Sequence, residues 1–205
     1  MGTRNLTCVY LDGEYKVAQY GQWDGYPSGT GVDVLEFVRD KMNRIVFEKK
    51  LRAINVLTEH EVQKKWQSVG ADDSGLVNME ISNFFQKTNP QLHRDCGADV
   101  LNMIQEATEG FEIKKELEFA ADSLFCEWCY VIDLDRNTLE AYEGFNKTPL
   151  GDYERFKFLE ELCREEYQPV KLKGLWSFNL LPTNDEFIAD LETEEDDLEL
   201  SNSKV

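Results

Sequence analysis

The chain has 205 residues, 22 basic against 40 acidic, a net charge of −18, and 41% hydrophobic and 12% aromatic residues. That length predicts one domain with a substantial core, and the aromatic content excludes a disordered acidic chain. Charge of this sign repels phosphate backbones at long range and argues against unspecific nucleic-acid binding.

Leu6 to Leu11 and Tyr15 to Tyr20 are apolar, partly β-branched runs separated by Asp12-Gly13, the pattern of a tight hairpin. Gly21 to Gly31 holds four glycines and one proline and reads as a loop. A helix is expected from about Val32, with Leu35, Val38, Met42 and Ile45 on one face, and helical character extending to about Ile54. Thr58 and Glu61 form a capping box, and Leu57 and Val62 a hydrophobic staple, for a helix ending near Gly70. Ala71 to Gly75 reads as a turn. Met79 to Lys87 is helical and stops at Asn89-Pro90, and a further helix spans about Ala98 to Ala107 with Val100, Leu101 and Ile104 inward. Phe125 to Leu134 reads as a strand, which turns at Asp135 to Thr138 and returns over Leu139 to Glu143. Phe156 to Tyr167 reads as a short helix. Val170 to Leu180 reads as one or two strands with a bulge at Gly174. A second capping box, Thr183 with Glu186, opens a last helix to about Leu191.

Strands at both ends with helices between predict an α+β fold built on a largely antiparallel sheet around a central group of helices. Residues 1–191 form the expected single domain. Residues 192–205 read as a disordered acidic tail, because Asp185 to Val205 carries nine acidic residues and one lysine. No run reaches the about 20 apolar residues of a membrane span, and no secretory leader opens the sequence. A cytoplasmic protein without a membrane partner is expected. Five cysteines at irregular spacing argue against a disulfide framework.

The segment richest in chemistry is Gly21 to Gly31. Gln22, Trp23, Asp24, Tyr26 and Ser28 offer donors, acceptors and ring faces, and glycines permit close backbone approach to a ligand. The other reading is a tight turn with Asp24 tied to its own backbone. His93-Arg94-Asp95-Cys96-Gly97 precedes a helix. Asp95 there is an expected N-cap, whereas His93 and Arg94, if set beside the loop, form a proton carrier and an anion clamp. Sequence alone leaves open whether the two segments meet. Cys126 and Cys129, three apart on a strand, point to opposite faces and read as buried residues, not a redox pair or a metal site. Glu127, a carboxylate at the head of an apolar strand, needs a partner, with Arg4 or Arg94 the candidates. An early Thr3 suggests an N-terminal nucleophile, but removal of Met1 exposes Gly2.

The stretches Thr3-Arg4-Asn5-Leu6, Gln19 to Gly31, Arg94 to Gly97 and Phe125 to Asp133 together resemble an uncharacterised family found in phages, bacteria and fungi, which implies no reaction. The layout is also similar, faintly, to the sandwich of N-terminal-nucleophile hydrolases, from which Gly2 departs.

The reading that follows is a small-molecule site at the Gly21–Gly31 loop, in a hydrolase- or amidotransferase-like protein. Asp24 and His93 are the candidate catalytic residues. Arg4, Gln22, Tyr26, Ser28, Arg94 and Glu127 are the candidate ligand-binding residues. No metal or cofactor is expected. The alternative is a non-enzymatic acidic module that binds a basic protein partner or mimics DNA, as a phage inhibitor of a host factor would.

Overall fold

The computed structural model describes residues 2–72, 77–108, 110–163 and 166–192. Their main sheet has five strands in the order β2-β1-β5-β6-β7. β1 (Asn5–Leu11) and β2 (Glu14–Gly21) form the expected hairpin. Asp12 and Gly13 turn it with φ of 56° and 79°, the double positive φ that matches a tight turn to strand twist. β5 (Trp128–Asp133), β6 (Thr138–Glu143) and β7 (Lys171–Ser177) run antiparallel to one another. The β6–β7 register slips beside Gly174. β1 and β5 pair in parallel, Cys8 opposite Val131, so the sheet is mixed but mostly antiparallel.

A parallel join needs a crossover connection, and the helices supply it. A kinked turn at Pro27–Gly31, non-helical at Gly29, and a π-helical turn at Phe37–Lys41 flank α1 (Val32–Glu36). Then come α2 (Arg44–Arg52), α3 (Glu59–Ser68), α4 (Met79–Thr88) and α5 (Asp99–Glu106). β3 (Asn55–Val56) and β4 (Glu112–Ile113) make a small parallel pair, and α6 (Asn184–Glu192) closes the described chain. The acidic tail expected beyond it lies outside the described residues, as do residues 73–75 of the expected turn.

Both faces of the sheet are covered over β1, β5 and β6. Val9, Leu11, Trp128, Tyr130 and Ile132 meet Leu35 and Phe37 of the first helix, Phe47 and Leu51 of α2, Leu101 and Ile104 of α5, and Phe187 of α6. Leu6, Cys8, Cys129, Val131 and Tyr142 face the other way, onto Ala120, Leu150, Phe156 and Leu159. Neighbouring residues of a strand point to opposite faces, so two-sided burial explains why β1 and β5 read as continuous apolar runs.

Four sequence expectations are corrected. Ile45 does not share a face with Leu35 and Val38; it is 84% exposed. The helix breaks at Met42 and Asn43, both extended, and restarts where Asn43 accepts the Val46 N–H at 3.2 Å. The new phase turns Phe47 and Leu51 inward. The expected strand from Phe125 begins only at Trp128, because Phe125 and Cys126 fold back on the Asp122 carbonyl. Cys126 therefore escapes strand alternation, and Cys126 and Cys129 lie in one apolar cluster with Cys8. Burial raises the pKa of both thiols well above the usual range, the inert condition of a core cysteine. Finally, the described residues of Phe156 to Tyr167 form a 3₁₀ segment at Lys157–Leu162 in place of the expected α-helix. The capping boxes at Thr58 and Thr183 form as expected.

Candidate functional site

The glycine-rich loop and the His93–Gly97 segment meet. The Gln22 N–H donates to the Arg94 carbonyl at 3.0 Å, and the Trp23 indole N–H donates to Asp95 Oδ1 at 2.9 Å. The Tyr20 hydroxyl donates to Gln22 Oε1 at 2.7 Å. Asp95 is therefore not the expected N-cap: α5 starts four residues later, and the Asp95 carboxylate is turned toward the indole and His93 instead.

The loop's backbone polar groups are spent inward. The Gly25 N–H donates to the Thr3 carbonyl at 3.0 Å, and the Thr30 N–H to the Asp24 carbonyl at 2.8 Å. Buried Tyr130 donates its hydroxyl to the Gly25 carbonyl at 2.9 Å, and the Asn5 amide donates to the Trp23 carbonyl at 3.1 Å. A Cβ on Gly29 would stand 2.5 Å from the Asp24 carbonyl oxygen. The glycines thus let the chain pack on itself, and Asp24 takes a φ of 55° to make the turn. The side chains of Asp24, Tyr26 and Ser28 are left exposed on the outside.

What the loop braces is the wall of a cleft of about 790 Å³. Its sides are α3, α4, the end of β2 and the segment from Lys114 to Phe119. α3 and α4 are joined by Trp66 stacked on Phe85, centroids 3.6 Å apart. His93 stands in the wall, 5% exposed, with Nε2 3.2 Å from Ser82 Oγ. Its Nδ1 accepts the Asp95 backbone N–H at 3.3 Å and lies 3.5 Å from Asp95 Oδ2. Burial lowers the His93 pKa; Asp95 opposes that shift and Arg94 adds to it. The imidazole is therefore neutral at pH 7. Arg94 is largely exposed and makes a loose 3.8 Å ion pair with Asp95. Across the cleft, burial pulls Lys114 down, but Glu116 at 3.0 Å and Glu59 at 3.2 Å outweigh it and raise its pKa.

Of the sequence candidates, His93 and Arg94 line this cleft, and Gln22 braces it from behind. Arg4 and Glu127 lie elsewhere. The Arg4 N–H donates to Glu127 Oε1 at 3.3 Å, while its guanidinium rests 4.6 Å over the Phe125 ring. Phe125 borders a second groove, of about 1160 Å³, between Leu117–Asp122 and Phe158–Leu162. Sequence reasoning missed Ser82, Trp66 and Lys114. The one signal for Ser82 was a polar residue three before Phe85, on the helix face that packs inward. Among the described residues no group of three or more His, Cys, Asp or Glu side chains is placed to hold a metal ion, and no helix is long and apolar enough to cross a membrane.

Compared with protein-family models, curated proteins and solved structures, the chain finds no match.

Proposed function

We propose that the protein binds a small molecule in the His93 cleft and that His93 moves a proton there, as in a hydrolase- or amidotransferase-like enzyme. The observation that carries this is a buried histidine held between a serine and an aspartate in the wall of an open cleft. A proton carrier needs such a fixed ring and a neutral form at working pH. Trp66, Tyr20 and Phe119 supply apolar surface, Arg94 and Lys114 positive charge, and Asn78, Gln86 and Gln91 amides. That mixture suits a planar molecule carrying a carboxylate or carboxamide.

The site differs from the one the glycine loop suggested. Asp24, Tyr26 and Ser28 face outward, and Thr3 is buried with its carbonyl engaged by Gly25, so an N-terminal-nucleophile mechanism draws no support. Native mass spectrometry and thermal shift over amides, amino acids and nucleotides test the reading. A ligand that stabilises wild type is expected to lose about tenfold or more in affinity in Arg94→Ala, the cost of one charge-assisted contact. Arg4→Ala is expected to leave it unchanged. If no compound shifts wild type, the reading fails.

The second groove favours a second reading, a basic protein partner. Glu118, Asp122 and Glu161 line it beside half-exposed Phe125, Phe158 and Leu162. Its Phe125 and Tyr167 rings already carry the Arg4 and Lys147 cations. A peptide alternating arginine and leucine should bind there, more weakly at high salt and in Glu118→Lys.

A further inference from the structure

We infer that Ser82 is the nucleophile of an acyl-transfer site in this cleft, with His93 as its base and Asp95 as the positioning residue, acting on an acyl carbonyl for which a small ester is the probe. The inference deepens the binding reading and rests on it. Ser82 Oγ is 3.2 Å from His93 Nε2, and Asp95 Oδ2 is 3.5 Å from the other ring nitrogen. Nucleophile, base and orienting carboxylate stand in the order such a relay needs.

Two details bear on the chemistry. The first is the tautomer. Asp95 offers Nδ1 both a backbone N–H and a carboxylate oxygen. If the backbone N–H holds Nδ1, the ring carries its proton on Nε2 and donates to Ser82, a resting arrangement. If the carboxylate holds an Nδ1 proton, Nε2 is bare and accepts from the Ser82 hydroxyl. The second arrangement would exchange the backbone bond for a charge-assisted one once the 3.5 Å contact closes. Asp95 therefore decides the reactive tautomer, and Trp23 fixes the carboxylate from its far side. The second detail is the oxyanion. Asn78 and Gln86 lie one helical turn either side of Ser82 and line the same cleft. Asn78 Oδ1 accepts the Ile81 N–H at 2.9 Å, so its amide N–H₂ is the donor that it can offer an oxyanion on the same cleft wall.

The step balances without a co-reactant. Ser82 Oγ bonds to the carbonyl carbon as its proton passes to His93 Nε2. The carbon–oxygen bond to the alcohol breaks, and the alcohol leaves with that proton. Water then attacks the acyl-serine, giving its proton to His93, which returns it to Ser82 Oγ as the acid departs.

The probe is p-nitrophenyl acetate on the full chain, followed by p-nitrophenolate release, intact mass and peptide mapping. Wild type should release p-nitrophenolate above background and carry one acetyl on Ser82. Ser82→Ala should do neither. His93→Gln and Asp95→Asn should slow acylation by about tenfold or more. Nitrogen NMR of the imidazole should report the Nδ1–H tautomer less populated in Asp95→Asn, a change that a purely structural aspartate would not produce. Acetylation that is confined to lysines, or that is equal in Ser82→Ala, overturns the inference. So does an absence of acylation in folded wild type. If a cleft ligand still stabilises wild type in that case, the binding reading stands and only the acyl-transfer inference falls. If neither is seen, both fall.

Discussion

His93 illustrates how one buried ring ties the site to the pH response of the whole chain. Its charged form is penalised by burial, favoured by Asp95 and opposed by Arg94, and Lys114 and Glu116 line the same cleft. The folded pKa is lowered below the ordinary 6.5. The unfolded chain thus binds the proton more readily, and stability falls as pH falls. The contribution is complete above about 6.5 and is lost as pH drops toward the folded value. Urea melts from pH 7 to 5 should show wild type losing more stability than His93→Gln. At the same scale, Trp23→Phe removes the indole N–H from Asp95 and should cost about 1 kcal/mol, the net worth of a hydrogen bond. If the melt of Trp23→Phe matches wild type, the indole does not brace the wall.

The elements around the cleft were legible in the sequence where local chemistry alone decides. Asp12-Gly13 dictates its turn, and Thr58 with Glu61 its helix start, because both act on their own backbone. Thr58→Ala should cost about 1 kcal/mol, a typical N-cap loss, measured by chemical denaturation. What the sequence did not disclose depends on a distant partner or a change of phase. Ile45 fits the helical period of Leu35 and Val38 until Asn43 resets it. Asp95 has the composition of a cap, but Trp23, far away in sequence, takes its carboxylate. Ser82 gains its significance only from His93 across a helix and a turn. The Gly21–Gly31 loop stands out in the sequence for its glycines and polar side chains, and in the fold those glycines serve closure of the loop. Gly29→Ala should therefore destabilise the fold by about 1–3 kcal/mol, as a Cβ overpacks against Asp24. A neutral Gly29→Ala would show that the loop relaxes freely.

At the scale of the molecule, the described residues hold a buried ion cluster away from the cleft, with no sequence signature. Arg155, on the connection after β6, pairs with Asp133 of β5 and with Glu140 of β6, the latter at 2.6 Å. Tyr142 donates to Glu140, and Thr138 donates to it at 3.2 Å. The guanidinium lies 5.1 Å over the Tyr10 ring of β1. Three strands and a long connection are thereby joined at one point. Removing the cation strands two buried carboxylates, so Arg155→Met should cost about 3–5 kcal/mol. A small loss in its denaturation midpoint would mean that water reaches the cluster. Sequence could not pair these residues, because which faces of β5 and β6 adjoin depends on register.

The parallel seam between β1 and β5 also has a consequence for how the chain matures on the ribosome. β1 is apolar on both sides, and one of its neighbours is made more than a hundred residues later. Until that strand emerges, the opening hairpin has a bare inner edge and two greasy surfaces, the condition that invites wrong pairing. Long-range closure of this kind is slow. A nascent chain arrested before Trp128 should bind chaperones and resist release, whereas one arrested after Glu192 should fold once it clears the exit tunnel.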